Sequence, residues 1–411
     1  MTDHAGNTDI ESRIGVKSPE DVVIVSALRT PLTKAKRGGF KDTKAIHLLA
    51  SVLKGVVEKV GLEKGLVEDV AAGTVCAPNG GASLVRMAVL DAGFPVSVGS
   101  MAINRQCSSG LQAIVQISSA IRDETISIGI AAGFESMSEH YGNARFPLLP
   151  SEFDEEIYQE QYSKDATLPT GVLSEIIADD FNVSREKQDK HAVHSHDKAH
   201  RAQVAGWFKD EILPVKTKIK NKDGVMQDVV ISDDDGIRPG TTLESLAKLK
   251  SPFKKGGSTT AGNSSQLTDG AAAVLLMRRS KALELGLPIL GKYITSACCG
   301  INPRHTLIGL VHAIPLAVKR AGISIDDVDI FEVNEAFASQ FSHTIDVLGL
   351  DFNKINPRGG AMALGHPMGC TGARQLVTLL SELKRQSKKI GAVTMCIGTG
   401  MGMCAIFENE Q

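Results

Sequence analysis

SMAINRQCSSGLQAIVQISSAIRDETISIGIAAG, residues 100–133, and KINPRGGAMALGHPMGCTGARQLVTLLSELKRQSKKIGAVTMCIG, residues 354–398, follow one plan. Each runs strand, turn of Gly, Ser or Cys, helix, polar turn, strand. A second pair repeats at a similar offset: VEKVGLEKGLVEDVAAG (57–73) and VKRAGISIDDVDIFEV (318–333) both run helix, Gly, short acidic turn, strand. The offset is about 250–260 residues, and repetition of this kind argues for two similar domains packed together. Strands alternating with helices make each domain α/β, a sheet covered by helices.

Outward from these repeats the same alternation continues. A buried strand (DVVIVSA) opens at Asp21, and a helix follows over roughly 43–60, with Ile46, Leu49, Leu53, Val56, Val57 and Val60 at helical spacing and Gly61 as its stop. A strand is expected near 69–75 and a helix near 83–92. DGAAAVLLM (269–277) reads as a buried strand with a helical lead-in, and Leu287-Pro288 opens the next strand, ILGKYITSA. The division expected is a loose arm over 1–20, an N-terminal domain over 21–282 and a C-terminal domain over 283–411. Residues 135–260 are charge-rich, with helical patterning only near 184–205. That stretch is too long for a connector, so it is read as a loop excursion that shapes a binding site. Sites are favoured where two such domains meet.

A chain of 411 residues fits two or three domains, large enough to need no disulfide or metal. With 42% hydrophobic and 22% charged residues it is not disordered. Lys and Arg number 45 against 47 Asp and Glu, which gives no electrostatic case for a nucleic-acid or anionic-membrane partner. No apolar run reaches the ~18 residues of a membrane span. The polar N-terminus does not read as a secretory signal, nor the C-terminal NEQ as a peroxisomal S-K-L signal. Seven cysteines lack the spacing of a disulfide framework, and none forms a Cys-x-x-Cys pair, so some of these thiols are candidates for chemistry.

Four loops carry that chemistry. In NRQCSSGLQA (104–113), Cys107 sits at a strand-to-helix junction, where unpaired amides and the helix dipole favour a thiolate and Arg105 adds positive charge; the bland alternative is a small buried cysteine. In GGAMALGHPMGCTGAR (359–374), His366 is held between Gly365 and Pro367 in a rigid turn suited to acid/base work, and Cys370 reads as helix packing. In MCIGTGMGMC (395–404), Cys396 ends a strand that runs into a loop able to aim backbone N–H groups at an oxyanion, and Cys404 reads as core. Too few residues follow for a dinucleotide fingerprint. In VNEAFASQF (333–341), Asn334 and Glu335 open a helix, with Asn334 either a cap or a group that fixes a water. Two Cys, one His and one Asn on matching loops suit a nucleophile, a second acid/base and an oxyanion hole. His191, His194, His196 and His200 share one predicted helix, but no H-E-x-x-H accompanies them and no metal site is expected. SDDDG lacks EF-hand spacing and reads as a solvated turn.

NRQCSSGLQA, NEAFA, GGAMALGHPMGCTGAR and CIGTGMG closely resemble the four signature blocks of the thiolases, and STTAGNSSQLTDGAA (258–272) resembles their pantetheine-contacting loop. The resemblance runs from about 21 to 408. SREKQDKHAVHSHDKAH, FKDEILPVK and DDGIRPGTT are most similar to the degradative, peroxisomal-type 3-ketoacyl-CoA thiolases. The resemblance implies two duplicated βαβαβαββ-type domains in an α-β-α-β-α layered structure. It also implies Cys107 as acyl-accepting nucleophile, His366 as base and oxyanion donor with a water held by Asn334, Cys396 as the acid/base at C2 of acetyl-CoA, and a second oxyanion hole from the amides of Cys107 and Gly398. Ala261 and Ser265 match positions near the pantetheine. No cofactor is bound permanently; coenzyme A is a co-substrate, and a homodimer is implied.

The implied activity is cleavage of 3-ketoacyl-CoA by CoA in fatty-acid β-oxidation. An acetoacetyl-CoA thiolase or a low-activity acyl-CoA-binding paralogue is the alternative. Cys396 argues against a ketoacyl synthase, which has a His or Asn there. Two departures bear on acyl preference: Thr170 stands where relatives have a Met, and INPRHTLIGLVHAIP (301–315) replaces a Gly-Pro loop, with His312 in a small residue's place. Lys34, Lys36 and Arg37 read as a solvated loop, with a CoA phosphate contact as the alternative. The compartment implied is the peroxisome, or else the cytoplasm, since the basic-aliphatic start at Arg13-Ile14 is followed by Glu20-Asp21 and not by the His-Leu of a targeting nonapeptide.

Overall fold

The computed structural model describes residues 12–142 and 154–411. Its strands are β1 Val22–Arg29, β2 Thr33–Lys34, β3 Asp69–Gly73, β4 Gly99–Ile103, β5 Ile128–Ser136, β6 Val215–Lys220, β7 Met226–Ile231, β8 Thr268–Arg278, β9 Gly291–Gly300, β10 Ile330–Val333, β11 Ile390–Ile397 and β12 Met401–Asn409. Its helices are α1 Ala45–Glu58, α2 Ala82–Asp91, α3 Ser109–Arg122, α4 Glu155–Gln159, α5 Gln161–Ala166, α6 Thr170–Asp180, α7 Arg185–Val204, α8 Leu243–Ala247, α9 Arg279–Glu284, α10 Leu310–Arg320, α11 Ala338–Leu348, α12 Ala361–Leu364 and α13 Met368–Gln386.

The strand path β10-β11-β12-β9-β1-β8-β5-β3-β4 is two copies of one motif. In the first half β3 lies parallel to β4 and β5, and β8 joins β5 and β1 antiparallel. In the second half β10 lies parallel to β11, and β12 joins β11 and β9 antiparallel. The counterpart of β4 is reduced to a parallel bridge between Phe331 and Ile355. The chain order, strand-helix three times and then two strands, is the same in both halves. The halves meet where Val23 pairs with Lys292 and Ile24 with Gly291.

Strand alternation sorts the core into layers. Val23 and Val25 of β1 and Ile130, Ala132 and Phe134 of β5 face α1 and α2. Val22 and Ile24 of β1, Ala131 of β5 and Val393 and Met395 of β11 face a central layer with Leu111 and Ile114 of α3 and Leu376 and Leu379 of α13. Ala392 of β11 and Ile406 of β12 face α10 and α11 on the other side. Five layers result, α-β-α-β-α, and each fully buried Val, Ile or Leu in them contributes roughly 1.5–3 kcal/mol. Among the described residues no helix is long and apolar enough to cross a membrane.

Three expectations change. The excursion begins after β5 and carries regular structure, α4–α8 and the β6–β7 hairpin, with Leu173, Ile177, Ala192 and Leu246 packed on the second half. β8 has no helical lead-in; a loop precedes it. Of the arm expected over 1–20, residues 1–11 lie outside the described residues, and 12–20 are tied down. The buried Lys292 ammonium donates to the carbonyls of Arg13 (2.8 Å) and Val16 (2.5 Å), and the Gly15 N–H donates to Glu408 (2.8 Å).

Candidate active site

The carboxyl ends of parallel strands put loops on one edge, where ligand sites of such sheets form. β4 delivers Cys107, β10 delivers Asn334, and β11 delivers Cys396 and Gly398. α3 and α13 start side by side there, because glycines remove the side chains that would part them. A Cβ on Gly110 would stand 2.7 Å from the Gly369 carbonyl oxygen, and one on Gly372 would stand 2.4 Å from the Leu111 nitrogen.

Cys107 is half-buried, two residues before α3, behind Gln106 at φ 48°. Burial of its thiol pushes the pKa up to about 11; its own N–H and that of Gly398 act on the sulfur in the opposite sense. The expected thiolate is therefore not what the free site favours: desolvation outweighs the helix terminus. Nor does Arg105 turn toward it, since the Arg105 guanidinium donates to Cys298 Sγ at 2.9 Å. Cys396 is buried, which pushes its thiol pKa up, and the Cys107 charge adds to the rise.

His366 is buried just before α13, with its N–H donated to the Gln266 carbonyl at 3.0 Å. Gly365 precedes it at φ 99°, against Thr268, where no side chain fits. Burial, with Arg374 nearby, lowers its pKa to about 3, so the imidazole is neutral near pH 7. Its Nδ1 meets Thr371 Oγ1 at 2.6 Å, and that hydroxyl donates onward to the Pro367 carbonyl at 3.3 Å. A hydroxyl so engaged accepts from Nδ1–H, which leaves Nε2 unprotonated, the acceptor of the Asn334 Nδ2–H and the ring nitrogen that can take up a proton. Nε2 lies 3.4 Å from Asn334 Nδ2.

Asn334 does not cap a helix: α11 starts at Ala338, four residues on. Asn334 is wholly buried, and its Oδ1 has no partner among the described residues. Glu335 is an anchor. It accepts from Ser195 Oγ (2.6 Å), Asn356 Nδ2 (2.8 Å) and the Met362 N–H (3.1 Å), fixing the segment that leads to His366.

The 258–272 loop is pinned to the same edge. Ser265 N–H donates to Ala336 O at 3.0 Å, and Gln266 Nε2 donates to the carbonyls of Gly236, Met362 and Ala363. Ser265 is half-buried and Ala261 exposed. The 301–315 segment buttresses the Gly398 loop: Thr306 Oγ1 donates to Ile397 O (2.5 Å) and accepts from Gly400 N–H (2.6 Å). His312 is exposed on α10, and Thr170 is half-buried at the start of α6. Cys370 and Cys404 are core, as expected. No group of three or more His, Cys, Asp or Glu among the described residues is arranged to hold a metal, and His196 instead accepts from the Arg238 N–H at 3.1 Å. Sequence reasoning missed Thr371, Thr306 and a buried carboxylate, Glu135.

Residues 22–280 match the thiolase N-terminal domain family and 287–409 the thiolase C-terminal domain family. The chain is 50% identical over 393 residues to the peroxisomal 3-ketoacyl-CoA thiolase B of Rattus norvegicus, covering 95% of this chain and 91% of that protein. It is 49% identical over 393 residues to the human peroxisomal 3-ketoacyl-CoA thiolase, with coverage of 95% and 91%. The crystal structure of the dimeric peroxisomal thiolase of Saccharomyces cerevisiae superposes with a TM-score of 0.88 at 44% identity, over 96% of this chain and 98% of that one. Duplicated halves, five layers, the four loops and both domain matches lead to one conclusion: the chain belongs to the thiolase family.

Proposed function

We propose that this chain is a 3-ketoacyl-CoA thiolase, an acetyl-CoA C-acyltransferase, working by a ping-pong acyl-cysteine mechanism. The observation that carries the reading is that the Cys107 sulfur meets the amides of Cys107 and Gly398 and acts on the Cys396 thiol, while a neutral His366 stands on the same edge. Cys107 attacks the keto carbon of the substrate, and its proton passes to Nε2 of His366. The tetrahedral oxyanion, on the carbon bonded to the Cys107 sulfur, is held by the amides of Cys107 and Gly398. The C2–C3 bond then breaks, and Cys396 protonates the acetyl-CoA enolate, whose thioester oxygen meets His366 and a water on Asn334. The CoA thiol gives its proton to the Cys396 thiolate and attacks the Cys107 thioester, and the departing Cys107 sulfur takes its proton back from His366 as the shortened acyl-CoA is released.

A thiol near 11 and an imidazole near 3 exchange no proton at rest, so the charge separation waits for a substrate whose developing oxyanion is solvated by these donors. Ala261 and Ser265 lie along the coenzyme A path in this reading, the catalytic domains divide at 282/283, and the chain works as a homodimer in the peroxisome. The test is loss of enolate absorbance from acetoacetyl-CoA and a longer 3-ketoacyl-CoA when CoA is added. Turnover of the longer substrate, abolished in Cys107→Ser, supports the reading. Turnover of acetoacetyl-CoA alone supports a short-chain thiolase, and acyl-CoA binding without turnover supports the non-catalytic paralogue.

A further inference from the structure

Glu135, next to last in β5, has its side chain wholly buried, yet no cation among the described residues pairs with it. Its carboxylate accepts four hydrogen bonds. Oε1 takes Thr74 Oγ1 (3.0 Å) and the Cys76 N–H (3.0 Å), and Oε2 takes the Val75 N–H (2.9 Å) and the Gly369 N–H (2.9 Å). Four donors and no acceptor leave no lone pair for a proton, so the site fits a carboxylate, although burial pushes its pKa up. Three of the donors belong to the segment after β3, in the first half. The fourth is a first-turn amide of α13, in the second half, three residues after His366.

The surroundings show what the carboxylate holds. Gly133, two residues earlier on the same face of β5, lies where a Cβ would be 2.4 Å from the Gly369 oxygen and 3.2 Å from the Gly110 Cα. Gly73 abuts the Ser109–Gly110 peptide at 2.3–2.4 Å by the same measure. The starts of α3 and α13, and hence Cys107 and His366, are thus wedged against β3 and β5 with no side chains between. Packing without side chains sets a closest approach but is slack to sliding along the helix axes. A hydrogen-bonded carboxylate is directional and removes that freedom. A 19-residue helix also gains from an anion at its N-terminus.

We propose that Glu135 is a positioning residue of the thiolase reaction: it locks the His366-bearing start of α13 to the first half that carries Cys107, fixing the separation of base and nucleophile. The proposal rests on the catalytic roles given above to Cys107 and His366. It also carries a signature that a mere strut lacks, because the Glu135 charge acts on the Cys107 sulfur and opposes its ionisation.

Glu135→Gln tests it in the full-length protein. The amide nitrogen cannot accept, so two N–H or O–H donors face a third donor and the lock opens. Expected is a loss of roughly 10²-fold in kcat, the scale of a 1 Å misplacement, with KM for 3-ketoacyl-CoA and the far-UV CD spectrum unchanged. The pH midpoint for iodoacetamide labelling of Cys107 should move to lower pH, because the opposing charge is gone. Thr74→Val removes one donor of four and serves if Glu135→Gln does not fold; a kcat loss between wild type and that expected for the Gln variant supports the lock. The proposal is overturned if the folded Gln variant keeps kcat within about twofold of wild type, if its loss lies in KM alone, if the labelling midpoint stays in place, or if Glu135→Gln unfolds while Thr74→Val is fully active. Labelling needs no turnover, so a wild type that labels normally but cleaves no 3-ketoacyl-CoA faults the proposed function and not the lock.

Discussion

The Cys107 and His366 side chains are both held in their uncharged forms, and each shift has burial as its first cause. The thiol's accessible ionisation therefore lies at alkaline pH. Labelling of Cys107 by iodoacetamide, followed by peptide mapping, is expected to rise roughly tenfold per pH unit from neutrality toward about 11, with no step near the usual histidine range. A rate that is flat between pH 6 and 8 would instead restore the helix-terminus thiolate. Thr371 has a different task. Thr371→Val removes the acceptor of Nδ1–H and frees the other tautomer, so kcat is expected to fall by up to roughly 10²-fold, with Thr371→Ser restoring most of it. Equal rates for Val and wild type would show that the hydroxyl does not set the tautomer. Three of the four candidate loops were legible because glycines beside Cys107, His366 and Cys396 mark tight junctions, and Asn334 was legible because it follows the strand IFEV. Thr371 was not, since a Thr inside a helix looks ordinary until the fold turns it toward a histidine. The sign of the Cys107 shift was equally hidden. Helix-end charge is local and readable, whereas desolvation is a property of the whole site.

Alternation of strands and helices made the elements readable, and the misses have local causes. The counterpart of β4 shrinks to Ile355 because Asn356 takes φ 42° and Pro357 has no N–H to offer a ladder. In the excursion, α6 is too short and too weakly amphipathic to stand out, although Leu173 and Ile177 anchor it. Gly110, Gly369 and Gly372 let α3 and α13 touch backbone to backbone, a contact that no local pattern announces. That contact gives Gly372→Ala an unusual sign. At an ordinary helix-interior site Gly→Ala stabilises by about 0.5–1 kcal/mol. Here the new methyl would meet the Leu111 backbone nitrogen at 2.4 Å, which cannot rotate away. The helices must separate, and overpacking costs typically 1–3 kcal/mol. Chemical denaturation is expected to show net destabilisation, and kcat should fall with it because both helices carry site loops. A stabilised, fully active Gly372→Ala protein would show that the crossing is not tight.

At the scale of the molecule, three parts of the chain must keep register: the two halves and the excursion. A buried ionic network joins them. Arg29 of β1 is bidentate to Asp234 (2.7 and 2.9 Å) and donates to Glu211 at 2.7 Å, both partners being in the excursion. Glu211 also accepts from Arg358 of the second half at 3.1 Å and from Thr378 Oγ1 of α13 at 3.1 Å. Arg358 continues to Glu382 of α13 at 2.7 Å. Nothing in the sequence announces this, because each partner is far from the others along the chain and a lone charged residue reads as surface. Among the described residues, Glu211 is the one carboxylate shared by both arginines. Its loss leaves two buried guanidinium groups with less anionic charge than they were desolvated against, and breaking a buried pair by deleting one partner costs roughly 3–5 kcal/mol. Glu211→Ala is therefore expected to lower the free energy of unfolding by about that amount. Within the network, the excursion then holds β1 through Asp234 alone and loses its ion pair to Arg358 of the second half, so urea unfolding followed by the single tryptophan, Trp207 of the excursion, should precede unfolding followed by far-UV CD. A loss below about 1 kcal/mol with the two transitions still coincident would mean that packing alone joins the three parts and that the network is incidental to their register.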